Sequence, residues 1–227
     1  MKRRMGVLIA TVVFLGTVFA SGGFAGTYTF SAVDGSGAPD LNDLDHSSVY
    51  LWGINWTVPT GANIQGATLT FKNIWDWTVE TDKLTIYLLD DITSTNGWGL
   101  IANNGSTTWQ KYDWQSGQAI TWPSNNISLV GQWEDPLGGS PYLPWTRNLR
   151  PDLVFDLGDL GLLDELTAYV TNNAPGAIKF FGFGIDPDCH YYNNGIELKI
   201  TVPEPGTIAL LGMGLLGLVG IRRKITG

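Results

Sequence analysis

Ile196-Glu197-Leu198-Lys199-Ile200-Thr201-Val202 is the stretch whose reading decides the fold. Four apolar residues, Ile196, Leu198, Ile200 and Val202, alternate with Glu197, Lys199 and Thr201. A period of two sends alternate side chains to opposite faces of a strand. One face is buried and the other wet, the habit of antiparallel sheets. The expectation is that Ile196, Leu198 and Ile200 are buried and that Glu197 and Lys199 are exposed. Tyr28-Phe30-Ala32, Ala67-Leu69-Phe71 and Leu84-Ile86-Leu88 repeat the pattern upstream.

Working outward, the runs are punctuated by Asp34-Gly35, Asn96-Gly97, Asn104-Gly105 and Asn194-Gly195, pairs that tolerate the positive φ of tight turns. Further strands are expected over 48–57, 100–102, 127–133, 153–156 and 178–184. Some nine strands in about 175 residues predict an all-β fold, a two-layer antiparallel sandwich of jelly-roll type. One segment departs from the period. Leu162, Leu163, Leu166, Tyr169 and Val170 share a helical face, which predicts one short helix near 160–172. Asp159 is its expected cap, with Asp164 and Glu165 in the first turns, and it should lie over an edge or open end of the sandwich. Residues 103–126 and 134–151 read as polar surface loops, where binding sites tend to sit.

Both ends read as addresses. Lys2, Arg3 and Arg4 precede an apolar run to Phe19, and Val18-Phe19-Ala20 or Gly23-Phe24-Ala25 supplies the small residues of a cleavage site. Residues 1–25 are therefore expected to be a signal peptide, 26–202 a single sandwich domain and 203–227 a sorting or membrane segment. Of thirteen Lys and Arg, six lie in the two ends; residues 26–202 keep seven against twenty Asp and Glu, a net charge near −13. Such a body repels phosphate backbones, so nucleic acid is not an expected partner. Cations and neutral polysaccharides match it better. Cys189 is the only cysteine, so the fold has no internal disulfide.

The last segment opens Val202-Pro203-Glu204-Pro205-Gly206, runs apolar from Ile208 to Ile221, and closes on Arg222-Arg223-Lys224. As a helix the apolar run covers about 21 Å, short of a hydrocarbon core of ~30 Å. Its basic stop belongs on the cytoplasmic side. This order of parts resembles the PEP-CTERM protein-sorting signal. The resemblance implies that Pro203, Glu204 and Pro205 are recognised by an exosortase. It also implies a precursor tethered transiently to the inner membrane by a hydrophobic helical tail, then a place at the cell surface or in the extracellular matrix of a Gram-negative bacterium that makes exopolysaccharide. The stretch Gly182-Phe183-Gly184-Ile185-Asp186-Pro187-Asp188-Cys189-His190-Tyr191 resembles the jelly-roll cargo of other PEP-CTERM proteins.

Catalytic signatures are scarce. No Gly-x-Ser-x-Gly, His-Glu-x-x-His, P-loop or EF-hand pattern is present. His46 and His190 are too few for a His-rich metal site. Cys189 and His190 are neighbours, which a strand would point to opposite faces. Two acidic clusters suit calcium, which takes six to eight hard oxygen ligands. Asp34, Asp40, Asn42, Asp43 and Asp45 follow the first strand, Asp186 and Asp188 precede the last, and first and last strands of a jelly roll often pair; Asp34, Asp40, Asp43, Asp186 and Asp188 are the expected ligands. The bland alternative is a pair of solvated turns. All ten tryptophans lie between Trp52 and Trp145. Trp52, Trp56, Trp75 and Trp77 read as core, whereas Trp109, Trp114, Trp122, Trp133 and Trp145 sit in or beside the long loops. An exposed indole offers a flat face for a sugar ring, and the alternative is loop packing. The expected function is that of a non-enzymatic surface or matrix protein contacting exopolysaccharide. A structural coat protein without a specific ligand and a polysaccharide-active enzyme are the rivals.

Overall fold

The strand Ile196–Pro203 lies inside a sheet, with neighbours on both sides. Ile196, Leu198, Ile200 and Val202 are buried and Lys199 is exposed. Glu197 departs from expectation: it is only half-buried, clamped between Lys72 and Lys199 at 2.9 Å from each.

The computed structural model describes residues 25–32, 43–59, 62–76, 81–92, 102–103, 107–113, 120–122, 124, 126–135, 150–171 and 180–203. The strands are β1 (Ala25–Ser31), β2 (Asp43–Leu44), β3 (Ser48–Ile54), β4 (Gly66–Phe71), β5 (Trp75–Asp76), β6 (Leu84–Leu89) and β7 (Ala102–Asn103). After them come β8 (Thr107–Asp113), β9 (Ile127–Trp133), β10 (Leu153–Asp156), the helix α1 (Leu163–Thr171), β11 (Phe181–Pro187), β12 (Tyr191–Tyr192) and β13 (Ile196–Pro203).

These strands form two large antiparallel sheets and one small one. The first runs β1-β13-β4-β10, the second β7-β8-β3-β11-β6-β9, and the third β2-β12-β5. The chain passes repeatedly from one large sheet to the other, and the first and last strands pair from Ala25↔Pro203 to Ser31↔Glu197. That order, with β3-β11-β6-β9 facing β1-β13-β4-β10, is the jelly-roll sandwich. Strands β8 and β7 extend the six-stranded sheet beyond β3. The core lies between the sheets, where Trp52 packs on Phe183 at 5.7 Å and Leu69, Phe71, Leu198 and Ile200 close from the other side.

Four elements differ from the sequence expectation. Strand β8 occupies part of the stretch expected to be loop; Thr107-Thr108-Trp109 and Tyr112 are strand-prone types, but their polar neighbours hid the run. Strands β3 and β6 are buried on both faces, because Ile120 and Trp122 fold over the outer face of the sheet. There they build a second cluster with Val49, Leu51, Leu89 and Ile92. The helix begins at Leu163, so Asp159 is not its cap. Asp156 Oδ1 accepts the Gly158 and Asp159 amides at 2.8 and 3.2 Å, and Gly161 (φ 73°) completes the turn before the helix. Asp164 and Glu165 do occupy the first turn. Leu166 and Val170 face the core, and a side-chain hydrogen bond links Tyr169 to Ser128 on edge strand β9.

Candidate functional site

The small sheet β2-β12-β5 places two carboxylate groups on the two sides of β12, in register Asp43↔Tyr192 and Tyr191↔Asp76.

On the β2 side stand both histidines. His190 Nδ1 lies 3.0 Å from Asp43 Oδ1, and its Nε2 is 3.7 Å from Asp45 Oδ1. His46 meets the same Asp45 oxygen at 3.7 Å and packs edge-on against His190, ring centres 4.9 Å apart. Asp45, His46 and His190 bring three metal-type ligand atoms within 4.8 Å of one another. Asp45 Oδ1 already accepts the Ser47 amide and hydroxyl, both at 2.8 Å. The Asp45 amide donates to Tyr50 Oη at 2.7 Å, and that hydroxyl donates to the Asp43 carbonyl at 3.3 Å. Burial pushes the Tyr50 phenol up to about 12, so it remains a neutral donor. This is a self-satisfied polar turn. Cys189 is buried in the core while His190 reaches out to Asp43, so the adjacent thiol and imidazole point apart.

On the β5 side the carboxylates come from separate segments. Leu84 of β6 is in register with Trp133 of β9 and with Pro187 of β11. Just beyond that row lie Asp82, Asp135 and Asp188. Asp188 and residue 83 are zipped together: the Lys83 amide donates to Asp188 Oδ1, and the Asp188 amide donates to the Lys83 carbonyl at 3.1 Å. Tyr191 Oη donates to Asp188 at 3.3 Å, and the Asp76 amide donates to Asp135 Oδ2 at 3.3 Å.

Asp76 is the anomaly. It is 1% exposed, and neither carboxylate oxygen has a hydrogen-bond partner among the described residues. Burial, then the negative charges of Asp135 and Asp82, push its carboxyl up to about 7, opposed by Arg150. Burial also raises Asp188 and Asp186 above the ordinary carboxylate range.

The sequence-chosen ligands are thereby divided. Asp43 goes to His190, Asp188 to the Asp76 side, and Asp186 to the outer sheet face in register with Thr85; Asp34 and Asp40 lie outside the described residues. Asp76, Asp82 and Asp135 lie far from Asp188 in sequence, and only strand register brings their segments near it. Of the loop tryptophans, Trp122 is buried at 5% exposure and Trp133 is half-buried against Tyr191, centres 5.9 Å apart. Trp109 lies on β8, its backbone opposite Trp52. Trp114 and Trp145 are outside the described residues, as are Glu204, Pro205, Arg222, Arg223 and Lys224 and the whole expected signal peptide except Ala25. Among the described residues no helix is long and apolar enough to cross a membrane.

Fold and site together define an acidic jelly-roll domain with a carboxylate-rich end. The family model of the PEP-CTERM protein-sorting motif matches residues 201–224. The chain thus carries the signal of an exported protein sorted by an exosortase. No curated protein and no solved structure matches the chain.

Proposed function

We propose that this is a surface or matrix protein of an exopolysaccharide-producing Gram-negative bacterium, whose sandwich contacts that polysaccharide without turning it over. The observation that carries the reading is the sorting motif at 201–224. It supports delivery to the compartment where polysaccharide is the abundant polymer. The acidity of the body supports a neutral glycan over a polyanion. Stable contact needs only a surface patch with a few polar groups, which loops on a rigid sandwich can supply.

A second reading, a coat protein with no specific ligand, draws support from Trp122 and Trp133, whose indoles are used in packing. A glycan array probed with the purified protein separates the two. Saturable binding to a defined neutral polysaccharide is the result expected. Uniform background across the array leaves the coat protein, and release of shortened oligosaccharides makes it an enzyme.

A further inference from the structure

We infer that Asp76, Asp82, Asp135 and Asp188 hold a divalent cation of the calcium class at one end of the six-stranded sheet. Asp82, Asp135 and Asp188 come from the start of β6, the end of β9 and the end of β11, which register brings side by side. The small sheet supplies Asp76 from β5.

An acidic cluster alone is ordinary on so acidic a protein. Asp76 sets this one apart, because it is 1% exposed and both its oxygens lack hydrogen-bond partners among the described residues. A buried carboxylate without partners is strongly disfavoured unless it is paired or coordinates a metal. Its carboxylate lies in the field of Asp135, Asp82 and Asp188, and its own amide donates to Asp135 Oδ2 at 3.3 Å. Arg150 is the cation that opposes them. Lys83 is engaged with Glu134 at 3.4 Å.

The donor set is all oxygen, with neither thiolate nor imidazole, which favours calcium over zinc or copper. Ligands from four separate segments suit the looser calcium shell better than the strict octahedron of magnesium. The site is distinct from the Asp43–His190 group and does not depend on polysaccharide binding. An occupant ion would tie together the ends of β6, β9 and β11 with β5, and so couple the small sheet to the large one.

The test uses the purified full-length chain, with calcium, magnesium or chelator at ionic strength matched by sodium. Calcium at about a hundredfold excess over its Kd should raise the melting midpoint by several degrees, and magnesium by much less. Terbium should show luminescence sensitised by nearby Trp133 and Tyr191, competed by calcium. Asp76→Asn and Asp82→Asn should each weaken calcium binding at least tenfold, whereas Asp43→Asn should leave it intact. Should Asp76→Asn fail to fold, Asp82→Asn, at a half-exposed position, decides the matter. Identical melting curves in calcium and chelator overturn the site and leave Asp76 as a buried neutral acid. Calcium binding unaffected by both Asp76→Asn and Asp82→Asn overturns it equally.

Discussion

Glu197 and Asp76 are both held away from open solvent, yet their environments move them in opposite directions. Glu197 accepts Lys72 Nζ on one oxygen and Lys199 Nζ on the other, both at 2.9 Å. The hydrogen bonds from Lys72 and then Lys199 hold its carboxyl below its ordinary value of 4.5. A depressed carboxylate stabilises the fold above its unfolded value, and that stabilisation is lost as pH falls through the lower, folded one. Glu197→Gln should therefore cost about 1 kcal/mol at neutral pH and progressively less as the solution is acidified below about pH 4. Urea melts of both proteins across that range check it; a pH-independent gap would mean that the loss is one of packing. Alternation in 196–202 made the strand and its buried face legible. It assigned Glu197 to open solvent because Lys72, 125 residues away, is invisible to local pattern. The same holds for Asp76: between Trp75 and Trp77 it reads as the wet position of a strand, and its neighbours, β12 and Asp135, come from far along the chain.

At the scale of elements, the sharpest dependence is between β11 and the segment carrying Trp122. A methyl group added at Gly184 would come within 2.8 Å of the Trp122 ring, so the glycine is the seat on which the indole rests. Gly184→Ala should push the indole off the sheet and cost about 1–3 kcal/mol. Trp122→Ala should cost about 3–5 kcal/mol by opening the outer cluster. Gly66 is a matched control, since a methyl there meets nothing within 4 Å, and Gly66→Ala should be neutral within about 0.5 kcal/mol. Chemical denaturation gives the three values, and a red-shifted tryptophan emission in Gly184→Ala would locate the change at Trp122. Equal stability of Gly184→Ala and wild type would remove the seat. The same dependence explains which strands could be read. Strand β13 has a clean period because its outer face is wet. In β3 the run Val49-Tyr50-Leu51-Trp52 hides its alternation, since Trp122 and Ile120 cover the second face from seventy residues away. The helix was legible from its apolar face, but its start was not: Asp156, rather than Asp159, organises the turn that leads into it.

Across the whole domain, the pairing of β1 with β13 places Ala25 opposite Pro203, so the body begins and ends side by side. The sorting motif starts at residue 201, inside β13, where Val202 is still buried. The Pro203-Glu204-Pro205 element therefore opens on the last residue of the sandwich with no spacer before it. Proline suits that place, because it ends a strand without needing to donate a ladder hydrogen bond. Glu204 follows the last strand, so replacing it should spare the fold while changing what a processing enzyme recognises. Glu204→Gln should be exported normally and melt like the wild type within about 0.5 kcal/mol, yet accumulate as tail-bearing precursor in the membrane fraction. Deleting 207–227 should also permit export but send the protein directly to the soluble fraction. Immunoblots of fractionated cells distinguish the forms by size and place. Processing and localisation of Glu204→Gln identical to the wild type would show that the Pro-Glu-Pro element is not what the exosortase reads. A fall in its melting midpoint would instead show that the tag and the sandwich are one structural unit.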